Sequence, residues 1–169
     1  MNFLPISINI EDETILIIGG GKVAIHKIES LERFTHQIKI IAKEVVPEIR
    51  QRSFIEVVEK EYEPSDLDGH LLVYAATNDS ALNSRIREDG KARRSIVNVV
   101  DKPGNCDFVS PAIYKQDNMT VAVSSNGENV FAAIHWRNQI RDLAQSNQIG
   151  SSKTKEIFRQ EFHAASQKS

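Results

Sequence analysis

A lone carboxylate and a run of glycines are the residues in this chain best suited to chemistry. Asp101 follows the apolar run Ile96–Val100 and precedes Lys102-Pro103-Gly104-Asn105-Cys106. Hydride removal from carbon is commonly accompanied by loss of a nearby proton, and a carboxylate at a strand end is placed to accept it. Asp before Lys-Pro-Gly is also ordinary turn chemistry, so position alone leaves both readings open. Gly19-Gly20-Gly21-Lys22-Val23-Ala24 fits the spacing G-x-G-x-x-A. In that pattern Gly19 permits a tight turn out of a strand and Gly21 lets backbone approach a pyrophosphate. Ala24 lets the following helix pack close on the strand. The free N–H groups and dipole of a helix start favour an anion there. Gly19, Gly20, Gly21, Lys22 and Val23 are therefore candidate contacts to a dinucleotide.

Other positions join them by their place at strand ends. A ribose-binding carboxylate usually lies at the end of the second strand, where this chain has Lys43 and Glu44. Glu44 suits a ribose 2′-OH and Lys43 a 2′-phosphate, while both also read as solvated charges at a helix start. Ala75-Ala76-Thr77-Asn78-Asp79 ends a later apolar run. Thr77 and Asn78 there are suited to the far half of a cofactor, and Asn78 or Asp79 to helix capping. Cys106 is the single cysteine. It reads more readily as a small buried residue than as a nucleophile or metal ligand, and no metal site is expected.

The elements that must position these groups alternate. Apolar runs at Thr14–Ile18, Gln37–Ala42, Phe54–Val58, Leu71–Ala75 and Ile96–Val100 read as strands. Lys22–Phe34, Val45–Arg52 and Asp79–Arg94 read as helices, with Asp79 as a cap. Strands alternating with helices imply a doubly wound parallel α/β sheet, here over residues 1–112. After it, Met119–Ser124 reads as a strand, and Ser125 and Glu128 sit at capping-box spacing before a helix reaching Gln145. Along that helix Val130, Phe131 and Ile134 lie nearly opposite Trp136, Ile140 and Leu143. Two apolar faces imply two packing partners, one of them a second subunit; a bent helix in a monomer is the alternative. Residues 113–146 form this smaller segment. Residues 147–169 read as a polar linker and a short helix over Thr154–Ala165.

Bulk properties set outer limits. The 169 residues include 21 basic and 23 acidic side chains, for a net charge of −2, with no basic field suited to nucleic acid. One cysteine suits a reducing cytoplasm, and neither a secretory leader nor a membrane span is expected.

The stretches MNFLPISINIEDETILIIGGGKVAIHK, LLVYAATND, IVNVVDKPGNCDFVSPAIY and MTVAVSSNG, in this order, resemble the precorrin-2 dehydrogenase family of siroheme biosynthesis. The resemblance covers about residues 1–143. It implies NAD-dependent oxidation of precorrin-2 to sirohydrochlorin, with Asp101 as the catalytic carboxylate and a homodimer formed through the segment after the sheet. Some members also insert iron. The helix start at Ser124, Ser125, Asn126 and Gly127 offers N–H groups to the substrate's carboxylates, with His135 as a further candidate contact. Lys102, Lys115, Arg137 and Arg141 are candidate sources of positive charge. The chain departs from the family at His26, where Arg is frequent, and at Phe34-Thr35-His36, where Ala-Gly-Ala is usual. Lys43 stands where Pro is usual, and Asn129-Val130 where Ser-Pro is usual. That last departure motivates an alternative, a non-catalytic module that senses nucleotide or carries tetrapyrrole.

Overall fold

The computed structural model describes residues 2–100 and 102–149. Asp101 and the expected helix over Thr154–Ala165 lie outside the described residues. By their internal contacts the described residues form two compact units. The first runs to Ser110 and includes Asn126–Glu128; the second holds Pro111–Ser125 and the chain from Asn129 onward.

The first unit is a parallel sheet of β1 (Ile15–Ile18), β2 (Ile38–Ala42), β3 (Ile55–Glu59), β4 (Leu72–Ala75) and β5 (Ile96–Val99), in spatial order β3-β2-β1-β4-β5. The helices α1 (Lys22–Leu31), α2 (Pro47–Arg50) and α3 (Ser80–Arg93) connect them. The central strands are buried on both faces, which is why they read as continuous apolar runs. Alternation divides their side chains between two cores. Ile15, Ile17, Ile38, Ile40 and Tyr74 pack with Ala24 and Ile28 of α1 and Ile49 of α2. Leu16, Ile18, Ile41, Val73, Ala75, Val97 and Val99 pack with Ile86 of α3 and with Leu67. Each fully buried Ile or Leu contributes roughly 1.5–3 kcal/mol, so the β1 run alone anchors both layers.

Several boundaries differ from the sequence expectation for local reasons. The first helix ends at Leu31 rather than Phe34, because the amides of Phe34 and Thr35 both turn back to the Leu31 carbonyl, at 2.8 and 3.1 Å. The second helix starts at Pro47 rather than Val45: Val46 is extended, with ψ 153°, as sterics require of a residue before proline. His36, in the departing Phe-Thr-His segment, stacks on Phe54 with ring centroids 4.5 Å apart.

The second unit pairs β6 (Ala112–Gln116) with β7 (Met119–Val123) in an antiparallel hairpin against α4 (Val130–Gln145). Strand β6 is an element that the sequence reading passes over. Asp117, at φ 52°, turns the hairpin. The long helix starts at Val130 and not at Ser125. Asn126 and Gly127 have φ of 55° and 79°, a left-handed backbone that a right-handed helix cannot include. The expected capping box is replaced: Ser125 Oγ accepts from the Asn129 amide at 2.9 Å, and Asn129 Oδ1 accepts from Ala132 N at 2.9 Å. Asn129 thus caps the helix itself, and Asn is among the most favourable residues for that position. Much of α4's apolar side remains uncovered: Phe131 is 86% and Trp136 64% exposed.

Gly90 of α3 shows how tightly the helix lies on the sheet. A Cβ there would come within 2.5 Å of Val97 Cγ2, and a β-branched side chain cannot swing aside easily. Alanine is the better helix former by about 1 kcal/mol, but overpacking a core costs about 1–3 kcal/mol. Gly90→Ala should therefore lower the unfolding free energy, by about 1 kcal/mol net. A denaturant midpoint at or above that of the parent would show that α3 lies more loosely on β5.

Candidate functional site: the crevice at the ends of β1 and β4

The chain leaves β1 outward through β2 to β3, then crosses back to place β4 on the other side of β1. The strand order reverses at β1 and β4, and in such sheets the crevice beyond those strand ends is the ligand site. Gly19-Gly20-Gly21 leaves β1 there, and Ala76-Thr77 leaves β4.

The three glycines are needed for three different reasons. Gly19 has φ 122°, and a Cβ on it would collide with the Ala76 carbonyl. Its amide is held by the Ile41 carbonyl at 2.9 Å. Gly20 is pressed from the other side, where a Cβ would collide with the Glu44 carbonyl and Val45. Its carbonyl accepts from the Val46 amide at 2.9 Å. A Cβ on Gly21, in contrast, would meet nothing within 4 Å. The first two glycines are demanded by the protein's own backbone. The third faces open space, as a cradle for a bound group requires.

Helix start α1 is electrostatically prepared for an anion. Gly21 caps it without any side-chain hydrogen bond, and its first turn has no acidic residue. The other long helices are closed: Asp79 accepts from Ala81 N and Leu82 N on α3, and Asn129 caps α4. A pyrophosphate fits the donor set at Lys22 and Val23, where backbone N–H groups are left without intrahelical partners.

Across the crevice, the β4 exit is clamped by a residue that sequence reading missed. Asn83 of α3 is buried, and its Oδ1 accepts from both Thr77 N (3.1 Å) and Thr77 Oγ1 (2.7 Å). Its Nδ2 donates to Thr77 O at 2.9 Å. The signal was an Asn four residues past the Asp79 cap on an otherwise polar helix, which pattern alone cannot separate from surface. Thr77 is thereby committed to the protein, whereas Asn78 is exposed.

At the second strand's end, Lys43 Nζ lies 2.6 Å from Glu61 Oε1. That contact raises the lysine's pKa and lowers the carboxylate's. Glu44 is exposed, with only its carbonyl against Gly20.

Beyond β5, Val100 N donates to Ala75 O at 3.1 Å and Lys102 N to Val99 O at 3.3 Å. Cys106 stitches this loop to the strand. Its Sγ accepts from Val99 N at 3.2 Å and lies 3.0 Å from Val99 O and 3.2 Å from Lys102 O. Burial pushes the thiol's pKa up, the reverse of what a nucleophile needs. Asp107 continues the stitching, accepting from Val97 N at 3.0 Å and pairing with Arg87 at 2.9 Å.

The other sequence candidates lie apart in kind. Asn126 accepts from Phe3 N at 3.3 Å. Ser125 is committed to Asn129, so the expected N–H cluster at Ser124–Gly127 is a turn and not a helix start. His135 is exposed on α4. The candidate cations have local partners: Lys102 with Ser80 Oγ, Lys115 with Asp117 O, Arg137 with Ile113 O and Arg141 with Asp142. Among the described residues no group of three or more His, Cys, Asp or Glu could hold a metal ion. No helix among them is long and apolar enough to cross a membrane.

A family model named for NAD(P) binding, NAD_binding_7, matches residues 6–112. The chain belongs to this NAD(P)-binding family. Siroheme synthase 1 of Cronobacter sakazakii is 36% identical over 146 residues, covering 85% of this chain and 31% of that protein. The siroheme synthase of Zymomonas mobilis is 39% identical over 130 residues, covering 75% and 28%. The chain thus spans about a third of the length of the curated relatives it matches. A solved structure named SirC, precorrin-2 dehydrogenase, shares the fold with a TM-score of 0.68 at 19% identity, covering 82% of this chain and 69% of that one.

The glycines separate fold from binding. Gly20→Ala should destabilise the NAD(P)-binding domain by about 1–3 kcal/mol. Gly21→Ala should leave the melting transition near that of the parent while weakening NAD binding at least about tenfold. Calorimetric titration beside a thermal melt checks both, and equal losses in the two variants would contradict the division. For the thiol, Cys106→Ala should cost about 1–3 kcal/mol by orphaning Val99 N–H, and Cys106→Ser should recover most of it. Equal stability of the two variants would mean that the sulfur's hydrogen bonds hold nothing.

Proposed function

We propose that this chain is the NAD-dependent dehydrogenase module that oxidises precorrin-2 to sirohydrochlorin in siroheme biosynthesis. The observation that carries the reading is the uncapped start of α1, with Gly21 open beside it, at the strand-order reversal. The similarity to siroheme synthases and the fold shared with a precorrin-2 dehydrogenase support it.

In this reading Gly19, Gly20, Gly21, Lys22 and Val23 receive the dinucleotide's pyrophosphate. Glu44 and the Thr77-Asn78 exit from β4 flank its two ends. When bound, NAD⁺ supplies a two-electron acceptor. Asp101 takes the proton that the macrocycle loses as it is oxidised. The Asn83 clamp on Thr77 and the Cys106–Asp107 stitching of β5 keep the two walls of the crevice fixed, so the reacting groups need not be ordered at each turnover. Ser124, Ser125, Asn126, Gly127 and His135 are proposed contacts to the carboxylates of precorrin-2.

We further propose a homodimer through residues 113–146, because Phe131, Trp136, Val130 and Leu143 of α4 are left exposed, more apolar surface than a lone small unit usually shows water. A cytoplasmic setting suits a reduced single thiol.

The test is oxidation of precorrin-2 under anaerobic conditions, followed by absorbance, with NAD⁺ and a protein-free blank. Formation of sirohydrochlorin no faster than in the blank would sink the proposal. Asp101→Asn should lower kcat by at least about 100-fold with NAD affinity within twofold of the parent. Undiminished turnover would remove Asp101 from the mechanism, and tight binding of both ligands without turnover in the parent would favour a carrier or sensor.

A further inference from the structure

The charges at the outer end of the crevice are arranged around one pair. Strands β2 and β3 run side by side to their C-terminal ends, with Ala42 opposite Glu59 and Lys60 N donating to Ala42 O at 3.0 Å. Lys43 and Glu61 therefore leave the sheet together, and their side chains meet at 2.6 Å. Glu44 follows directly, its carbonyl against Gly20. In a sheet of this order the adenosine ribose lies beyond the end of the second strand, so these three side chains border the ribose 2′ position.

The lysine by itself would suit a 2′-phosphate, a group with nearly two negative charges. In the structure its charge is already matched by Glu61, and Glu44 leaves the three side chains with net charge −1. Two further cations, on α2 and directly after β3, are committed elsewhere: Arg50 to Glu59 at 2.7 Å, and Lys60 to Glu63 and Asp66 at 2.8 and 2.9 Å. A 2′-hydroxyl has no charge to oppose this rim and can donate to a carboxylate. A 2′-phosphate must either displace Glu61 from Lys43 or approach uncompensated negative charge.

We infer that Glu61 is a specificity-determining residue: by holding Lys43 it makes this chain select NAD over NADP. The inference rests on the dinucleotide reading of the crevice and extends it to a residue at the end of β3. Because both partners are solvent-exposed, the effect is a modest factor and is screened by salt.

The experiment is calorimetric titration of the full chain with NAD⁺ and with NADP⁺, at low and at moderate ionic strength. It compares the parent, Glu61→Gln, and Glu61→Gln combined with Lys43→Gln. The parent should bind NAD⁺ more tightly. Glu61→Gln should narrow the NAD⁺-to-NADP⁺ affinity ratio about threefold to tenfold through tighter NADP⁺ binding. The second substitution should reverse that gain, and salt should shrink it. A ratio that Glu61→Gln does not move, or a parent that prefers NADP⁺, overturns the inference. Binding of neither dinucleotide overturns it together with the dinucleotide reading. Precorrin-2 turnover does not enter the measurement, so failure of the dehydrogenase proposal is seen separately.

Discussion

The site depends on backbone touching backbone at Gly19 and Gly20. The end of β1 is flanked by Ala76 at the end of β4 and by Glu44-Val45 after β2, each so close that a single added carbon has no room. This contact brings three chain segments, far apart in sequence, to one point. It also aims the start of α1 outward, with its N–H groups uncovered. Close approach of this kind leaves no place for side chains to adjust, so it is met by removing them.

Electrostatics then follows from which ends the protein closes for itself. Asp79 and Asn129 satisfy the first turns of α3 and α4, and the corresponding place on α1 is left to a ligand. A glycine at this helix start gives up only about a few tenths of a kcal/mol relative to a capping side chain and keeps positive potential where an anion can reach it. Lys43 and Lys60, at the ends of β2 and β3, are held by carboxylates, whereas the start of α1 presents its dipole together with the exposed Lys22.

The far wall is kept rigid by side chains standing in for a missing strand. Strand β5 is the edge of the sheet, and an unpaired edge is prone to wrong pairing. Asp107 takes the Val97 amide, Cys106 takes the Val99 amide, and Asn98 Nδ2 donates to Phe108 O at 2.9 Å. Cys106 and Asp107, which as residue types invite a catalytic reading, serve the backbone instead.

The alternating apolar runs, the glycine spacing and the Asp79 cap were legible in the sequence because each rests on local physics. Buried strands need continuous apolar residues, tight turns need glycine, and a helix start needs an acceptor. Strand β6 escaped notice because Ala-Ile-Tyr-Lys-Gln becomes a strand only by pairing with β7. The start of α4 was misplaced because a left-handed turn at Asn126-Gly127 is set by what precedes and follows it, not by the capping-box spacing. Only the tertiary structure decided that Gly20 is as constrained as Gly19, that Asn83 holds Thr77, and that Lys43 answers to Glu61. Each of these depends on partners brought together by the strand order, and a one-dimensional pattern carries the residue types without the distances between them.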